Sequence, residues 1–138
     1  MMSLHIKPVP VDEVLELRQR VLWPEKSLES VRVNGDAAAY HLAAFQDQIV
    51  VGVGSFYTDG AGARLRKLAV EPSCQGKGIG GQLVQTGAAH LRENGIEVLW
   101  CDARQTALAF YRGLGFTIDP EAFTKSGLPY HRATLSLT

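Results

Sequence analysis

Residues 65–83, LRKLAVEPSCQGKGIGGQL, pass from a β-rich run through a glycine-rich turn directly into an apolar helix. That order of elements builds an anion site. Gln75-Gly76-Lys77-Gly78-Ile79-Gly80-Gly81 places four glycines where backbone N–H groups converge, and the first turn of the following helix adds unpaired N–H donors and the positive end of its dipole. Glycine suits such a turn because the missing Cβ lets phosphate oxygens approach the main chain and permits φ > 0, at an entropic cost of roughly 0.5–1 kcal/mol per residue relative to Ala. The segment reads as a pyrophosphate cradle.

Spacing then selects among the nucleotide sites that share this logic. A Walker A loop needs Gly-Lys followed by Ser or Thr, whereas Lys77 is followed by Gly78. Gly76, Gly78 and Gly81 match the dinucleotide pattern G-x-G-x-x-G, with Glu97 near the expected acidic position. In that fold the first glycine directly follows the first strand, but here Glu71-Pro72-Ser73-Cys74-Gln75 separates Val70 from Gly76, and too few residues follow for a doubly wound domain. A nicotinamide-dependent oxidoreductase is the distant alternative. Gln75, Gly78 and Gly80 satisfy in full a third pattern, Gln or Arg followed at the third position by Gly and at the fifth by Gly or Ala. In this the segment resembles the coenzyme A loop of the GNAT acetyltransferases.

The resemblance extends along the chain. Arg64-Leu65-Arg66-Lys67-Leu68-Ala69-Val70-Glu71-Pro72 is similar to the strand that leads into that loop, and Ala107-Leu108-Ala109-Phe110-Tyr111-Arg112-Gly113-Leu114-Gly115-Phe116 to the A-x-x-F-Y-x-x-x-G-F signature of the same superfamily. The 40–57 hairpin and Gly127-Leu128-Pro129-Tyr130-His131 resemble a small bacterial subset of these proteins. The resemblance implies an acetyl-CoA-dependent N-acetyltransferase working by direct attack. Its fold would be one mixed α/β domain over residues 1–138, with a central, mostly antiparallel seven-stranded sheet flanked by helices and splayed at the cofactor site. It implies that pantetheine lies along Leu68, Ala69 and Val70, with the Val70 N–H facing the oxyanion. The pyrophosphate would lie on Gln75, Gly76, Lys77, Gly78, Ile79, Gly80 and Gly81, and Ala107, Phe110 and Tyr111 beside the coenzyme. Tyr111 takes the position of the acid that protonates the leaving thiolate, the alternative being a packing role. Arg104 stands where many relatives carry Asn, either on a phosphate or toward solvent.

The pattern of the remaining chain agrees with that order. Residues 5–9 alternate as a first strand stopped by prolines, and Val14, Leu17 and Val21 stripe an amphipathic helix that ends before Trp23-Pro24. Residues 25–39 are polar and mixed, a short helix and loop that either forms one wall of a substrate pocket or merely connects. Residues 40–45, 49–57 and 63–70 read as an antiparallel meander, and 98–102 as a buried strand parallel to the last of these, because the helix over 78–94 makes a β-α-β unit. A short helix striped by Ala107, Phe110, Tyr111 and Leu114 precedes a final strand pair, 116–118 and 132–137.

Charge and composition bound the partners. At 138 residues, with 14 basic against 14 acidic side chains, the chain lacks the electrostatic footprint of a nucleic-acid or membrane-surface binder. A small-molecule amine is favoured over a protein as acceptor, in a monomer or homodimer. No run approaches the ~20 apolar residues of a membrane span, and residues 1–10 lack the features of a leader, so the expected location is cytoplasmic. Cys74 and Cys101 have no metal-like spacing and read as free thiols, with no metal site. Cys74, just before a helix N-terminus, is either a reactive thiol or an incidental loop residue.

The general base stays open. No acid occupies residues 63–70, and the candidates are Asp102, Glu121, His131 and Asp36. His5, His41 and His90 read as structural, and Trp23 and Trp100 as core, with Trp23 also able to roof an acceptor pocket. The missing strand carboxylate and Arg104 leave a second reading, a CoA-binding sensor or interaction module without acceptor turnover.

Overall fold

The computed structural model describes residues 3–138; Met1 and Met2, part of the stretch expected to carry no leader, lie outside the described residues. Contacts gather into two compact units, the first running up to Tyr57 and resuming over Leu65–Gly87, the second made of Thr58–Arg64 and Ala88–Thr138.

In the first unit β1 (Leu4–Pro8) pairs antiparallel with β2 (Tyr40–Gln46), and β2 with β3 (Ile49–Asp59). The β2–β3 link is a two-residue turn with Asp47 and Gln48 both at positive φ, 51° and 70°, the geometry that matches strand twist in a tight hairpin. Helix α1 (Asp12–Leu22) buries Val14, Leu15 and Leu17, and Val14 and Leu17 pack with Ala43, Val53 and Ala69. The opposite sheet face receives α2 (Ile79–Glu93). There Gly52 leaves room for Ile79 and Leu83, and Gly87 lets the helix rest on the Phe56 ring. The segment 25–39 forms two single turns, Glu29–Val31 and Asp36–Ala38, joined by irregular chain.

In the second unit Gly62–Arg64, the start of β4 (Gly62–Val70), pairs in parallel with Val98–Trp100 of β5 (Val98–Arg104). That is the expected parallel step, whereas the β1–β2 and β2–β3 ladders and those formed by residues 128–136 are antiparallel. β5 pairs with β8 (Leu128–Ser136), which also carries β6 (Thr117–Ile118) and β7 (Phe123–Lys125). Among the described residues the count is thus eight strands rather than seven. The extra one arises because Ser126 and Gly127, both at positive φ (52° and 77°), make a two-residue hairpin turn that pairs Lys125 with Leu128.

Both later helices stop on glycine. Gly95 at φ +80° turns the chain so that the Ile96 N–H reaches Leu91 O at 3.0 Å, and Gly115 at +95° does the same for Phe116 and Tyr111 O at the end of α3 (Leu108–Gly113). Leu99, Cys101, Ala103, Phe116, Ala133 and Leu137 are buried here. Among the described residues no helix is long and apolar enough to cross a membrane.

Candidate active site

The glycine-rich turn has the shape its sequence demands. Gly76 and Gly78 sit at φ +80° and +82°, and a Cβ built on either would meet no protein atom within 4 Å. The turn therefore needs glycine for its backbone angles and leaves open space over the same atoms. Helix α2 begins at Ile79 and its first ladder bond here is Gln82 N–H to Gly78 O at 3.0 Å, so the N–H groups of Ile79, Gly80 and Gly81 have no partner inside the helix. Ile79 is 3 % exposed and anchors the turn in the core, while Lys77 is exposed. Gln75 folds back, donating from Nε2 to Val70 O at 3.0 Å; it braces the turn against the end of β4.

β4 carries an irregularity just upstream. Leu65 and Leu68 both approach Gly54, at 3.7 and 3.3 Å from where its Cβ would lie. Residues three apart share a face only if the period-two alternation slips. Lys67, at φ +58°, supplies that slip, and its ammonium lies 3.9 Å from the centroid of the Trp23 ring. Ala69 then points back into the α1 core.

In the second unit Tyr111 is 8 % exposed, on α3. Its ring meets Phe110 and Phe116 edge-on, at centroid distances of 4.9 and 5.2 Å. The hydroxyl hydrogen-bonds to the buried Cys101 thiol. Burial, and then the neighbouring thiol, push the Tyr111 phenol well above its ordinary range. Burial likewise raises Cys101, to about 11, against a smaller lowering from the Tyr111 hydrogen bond. The phenol therefore keeps its proton throughout the neutral range, and the same shift makes it a weaker acid toward a leaving thiolate than an exposed tyrosine. Phe110 is 38 % exposed. Ala107 closes the single turn Gln105–Ala107, and Arg104 is exposed at the end of β5, opposite Tyr130.

The candidate bases separate on their partners. Asp36 is the hub of a buried network. Its carboxylate accepts from Arg18 at 3.0 Å, from the Tyr57 hydroxyl at 2.5 Å and from the Val33 N–H at 2.7 Å. Arg18 is fully buried and also donates to Val31 O and Ser55 Oγ, both at 3.0 Å. His41 bridges Ser55 Oγ and Asp36 O at 2.7 and 2.8 Å; a carbonyl can only accept, so Nε2 carries the proton. Burial alone would raise the Asp36 pKa, but the bonds from Arg18, Tyr57 and Val33 outweigh it and hold the carboxyl below its ordinary value. Burial and the Asp36 bond push Tyr57 up to about 12. Asp36 is a structural anion, and the apolar stripe of α1 gave no sign that Arg18 lies on it. Asp102 is saturated by Arg64, Arg132 and Lys125. Glu121 is exposed, its N–H donating to Asp119 Oδ1. His131 differs: Nδ1 must donate to Asp119 O at 2.8 Å, which leaves Nε2 as the acceptor nitrogen. Cys74 is 8 % exposed in the loop, with Sγ 3.9 Å from Gln46 Oε1, so it is the incidental buried thiol of the two alternatives. Among the described residues no group of three or more His, Cys, Asp or Glu could hold a metal ion.

Residues 9–116 match the model of the acetyltransferase (GNAT) family, and the chain belongs to that family. It is an N-acetyltransferase with acetyl-CoA as co-substrate. Over 137 residues it is 28 % identical to the uncharacterized N-acetyltransferase YitI of Bacillus subtilis, covering 93 % of this chain and 92 % of that one. Its fold is similar to that of the IAA acetyltransferase from Bacillus cereus, with TM-score 0.78, 20 % identity and coverage of 97 % and 99 %. An aminoglycoside 6'-N-acetyltransferase complexed with coenzyme A gives TM-score 0.80 at 18 % identity, covering 97 % of each chain.

Proposed function

We propose that this chain, acting as one cytoplasmic domain, transfers the acetyl group of acetyl-CoA to the amine of a small molecule by direct attack. The turn over residues 75–81 carries the reading: Gly76 and Gly78 adopt backbone angles that favour glycine, with open space over them and unpaired N–H groups beyond. The pyrophosphate is assigned to Gly76, Lys77, Gly78, Ile79, Gly80 and Gly81, and Gln75 braces the cradle through Val70. The pantetheine is assigned to the main chain of Leu68, Ala69 and Val70, and Ala107, Phe110 and Arg104 to the remainder of the coenzyme. The neutral amine nitrogen bonds to the thioester carbonyl carbon, the Val70 N–H stabilises the oxyanion, and the C–S bond breaks as Tyr111 gives its proton to sulfur; the proton that the nitrogen sheds passes to solvent, from which Tyr111 regains its own. Two free, buried cysteines suit a reducing compartment, and the relatives that act on small molecules, by their names, favour a small acceptor.

A thermal-shift comparison tests the cofactor assignment. Coenzyme A and acetyl-CoA should raise the melting temperature while NAD(H) leaves it unchanged, and acetylation should then appear with at least one amine of a panel of amino acids, polyamines, aminoglycosides and peptides. Stabilisation by NAD(H) alone would refute the reading. Binding of acetyl-CoA with no turnover of any amine would leave a sensor in its place.

A further inference from the structure

Gln75 makes a bond that a pyrophosphate cradle does not itself require. Its Nε2 reaches five residues back to Val70 O at 3.0 Å, while its main chain runs on into Gly76, the first glycine of the turn. The single turn Pro72–Cys74 brings the side chain there. Cys74 N–H donates to Glu71 O at 2.8 Å and Gln75 N–H to Pro72 O at 3.3 Å, so the chain doubles back on the end of β4 before the glycines begin. All of these groups lie in the first unit.

The peptide unit that joins Val70 to Glu71 is thereby held from both sides. Its carbonyl takes the Gln75 amide, and its N–H, carried by Glu71, donates to Val51 O on β3 at 2.8 Å. The Glu71 carboxylate is in turn paired with Arg20 of α1. A planar peptide bonded at both polar ends resists tilting, and its plane shares the Val70 Cα with the plane that carries the Val70 N–H. Of these restraints only Gln75 comes from the side of the turn. It is exposed, and an exposed neutral hydrogen bond adds little to overall stability. Aiming a donor is another matter, because a donor to a developing oxyanion acts only when it is oriented in advance.

We infer that Gln75 is a positioning residue for acyl transfer: it locks the Val70–Glu71 peptide and so aims the Val70 N–H at the thioester oxygen, tying the turn that holds the pyrophosphate to the strand end where the acetyl group reacts. The inference rests on the reading of Val70 as the oxyanion donor and adds a residue that touches neither the sulfur nor the carbonyl. It also gives a physical reason for Gln or Arg at the first position of the loop pattern. A carbonyl only accepts, and both side chains end in N–H donors long enough to reach it.

Gln75→Met keeps the length of the side chain and removes the donor, whereas Gln75→Arg keeps a donor. Both are compared with the parent on two acetyl donors, acetyl-CoA and acetyl-pantetheine, with the fastest amine of the panel above as acceptor. Acetyl-pantetheine has no pyrophosphate for the turn to hold. Gln75→Met should keep the parent's Tm and its Kd for coenzyme A, and lose about tenfold in kcat with both donors; Gln75→Arg should recover most of that loss. Amide exchange at Glu71 should quicken in Gln75→Met and slow again in Gln75→Arg. A kcat loss confined to acetyl-CoA, or a raised KM with kcat unchanged, would make Gln75 a ligand of the coenzyme and overturn the positioning role, as would a rate like the parent's. Exchange at Glu71 that Gln75→Met leaves unchanged overturns the lock. A parent that acetylates no amine of the panel overturns the transfer reading and the catalytic consequence with it, while the exchange rates still decide the lock.

Discussion

The Tyr111 hydroxyl is at once the candidate acid and a buried donor to Cys101, and measurement separates the two roles. Tyr111→Phe keeps the ring between Phe110 and Phe116 and removes one hydrogen bond to a weak sulfur acceptor, a stability cost of about 1 kcal/mol at most. Acid loss typically slows the chemical step ~10²–10⁴-fold. The low end is expected, because a thiolate is a good leaving group. Single-turnover acetyl transfer should therefore slow with acetyl-CoA affinity retained, and rates like the parent's would leave Tyr111 a packing residue. Arg18 belongs to the opposite category. Fully buried and paired with Asp36, it should cost roughly 3–5 kcal/mol when replaced by Met, because the carboxylate is left uncompensated. Denaturant unfolding reads that loss directly.

Among the elements, α2 is set by two glycines with unlike demands. At Gly87 a Cβ would fall 2.1 Å from Phe56 Cζ, and Phe56 is itself fully buried. Gly→Ala in a helix gains about 1 kcal/mol of propensity, but overpacking costs about 1–3 kcal/mol or more, so Gly87→Ala should lower Tm, and Phe56→Leu in the same chain should recover part of the loss. At Gly78 no protein atom opposes a side chain, so Gly78→Asp should fold with a penalty of about 1–2 kcal/mol for its positive φ and lose acetyl-CoA binding by calorimetry. Undiminished affinity would remove the loop assignment. The helices and the first five strands were legible because their apolar periods and glycine stops are local signals. The β7–β8 hairpin was missed: the run from Glu121 to His131 has exposed residues and no alternation, and only Ser126-Gly127 marks the turn. The Asp102 cluster was equally invisible, because Arg64, Lys125 and Arg132 are brought to one carboxylate by strand register and by a hairpin, not by spacing along the chain. The loop and Tyr111 were legible through motifs; the base was not, since each candidate's standing depends on partners far away in sequence.

For the molecule as a whole, the Arg18–Asp36–Tyr57 network predicts stability that erodes at both ends of the pH scale. The folded Asp36 carboxyl lies below its ordinary 3.8, so its contribution is whole above that value and drains away as falling pH protonates the folded form. Tyr57, raised from 10 to about 12, contributes fully below pH 10 and is lost as pH rises through about 12. Asp36→Asn should flatten the acid limb and Tyr57→Phe the alkaline one, as seen in unfolding free energies across pH. The two thiols offer a different kind of readout. Cys74 lies in the first unit and Cys101 in the second, and both are buried. Neither can be alkylated until its surroundings open, so each becomes a clock on the opening of its own unit. Equal opening free energies at both thiols would mean that the chain breathes as one cooperative body; a faster clock at either would name the half that yields first.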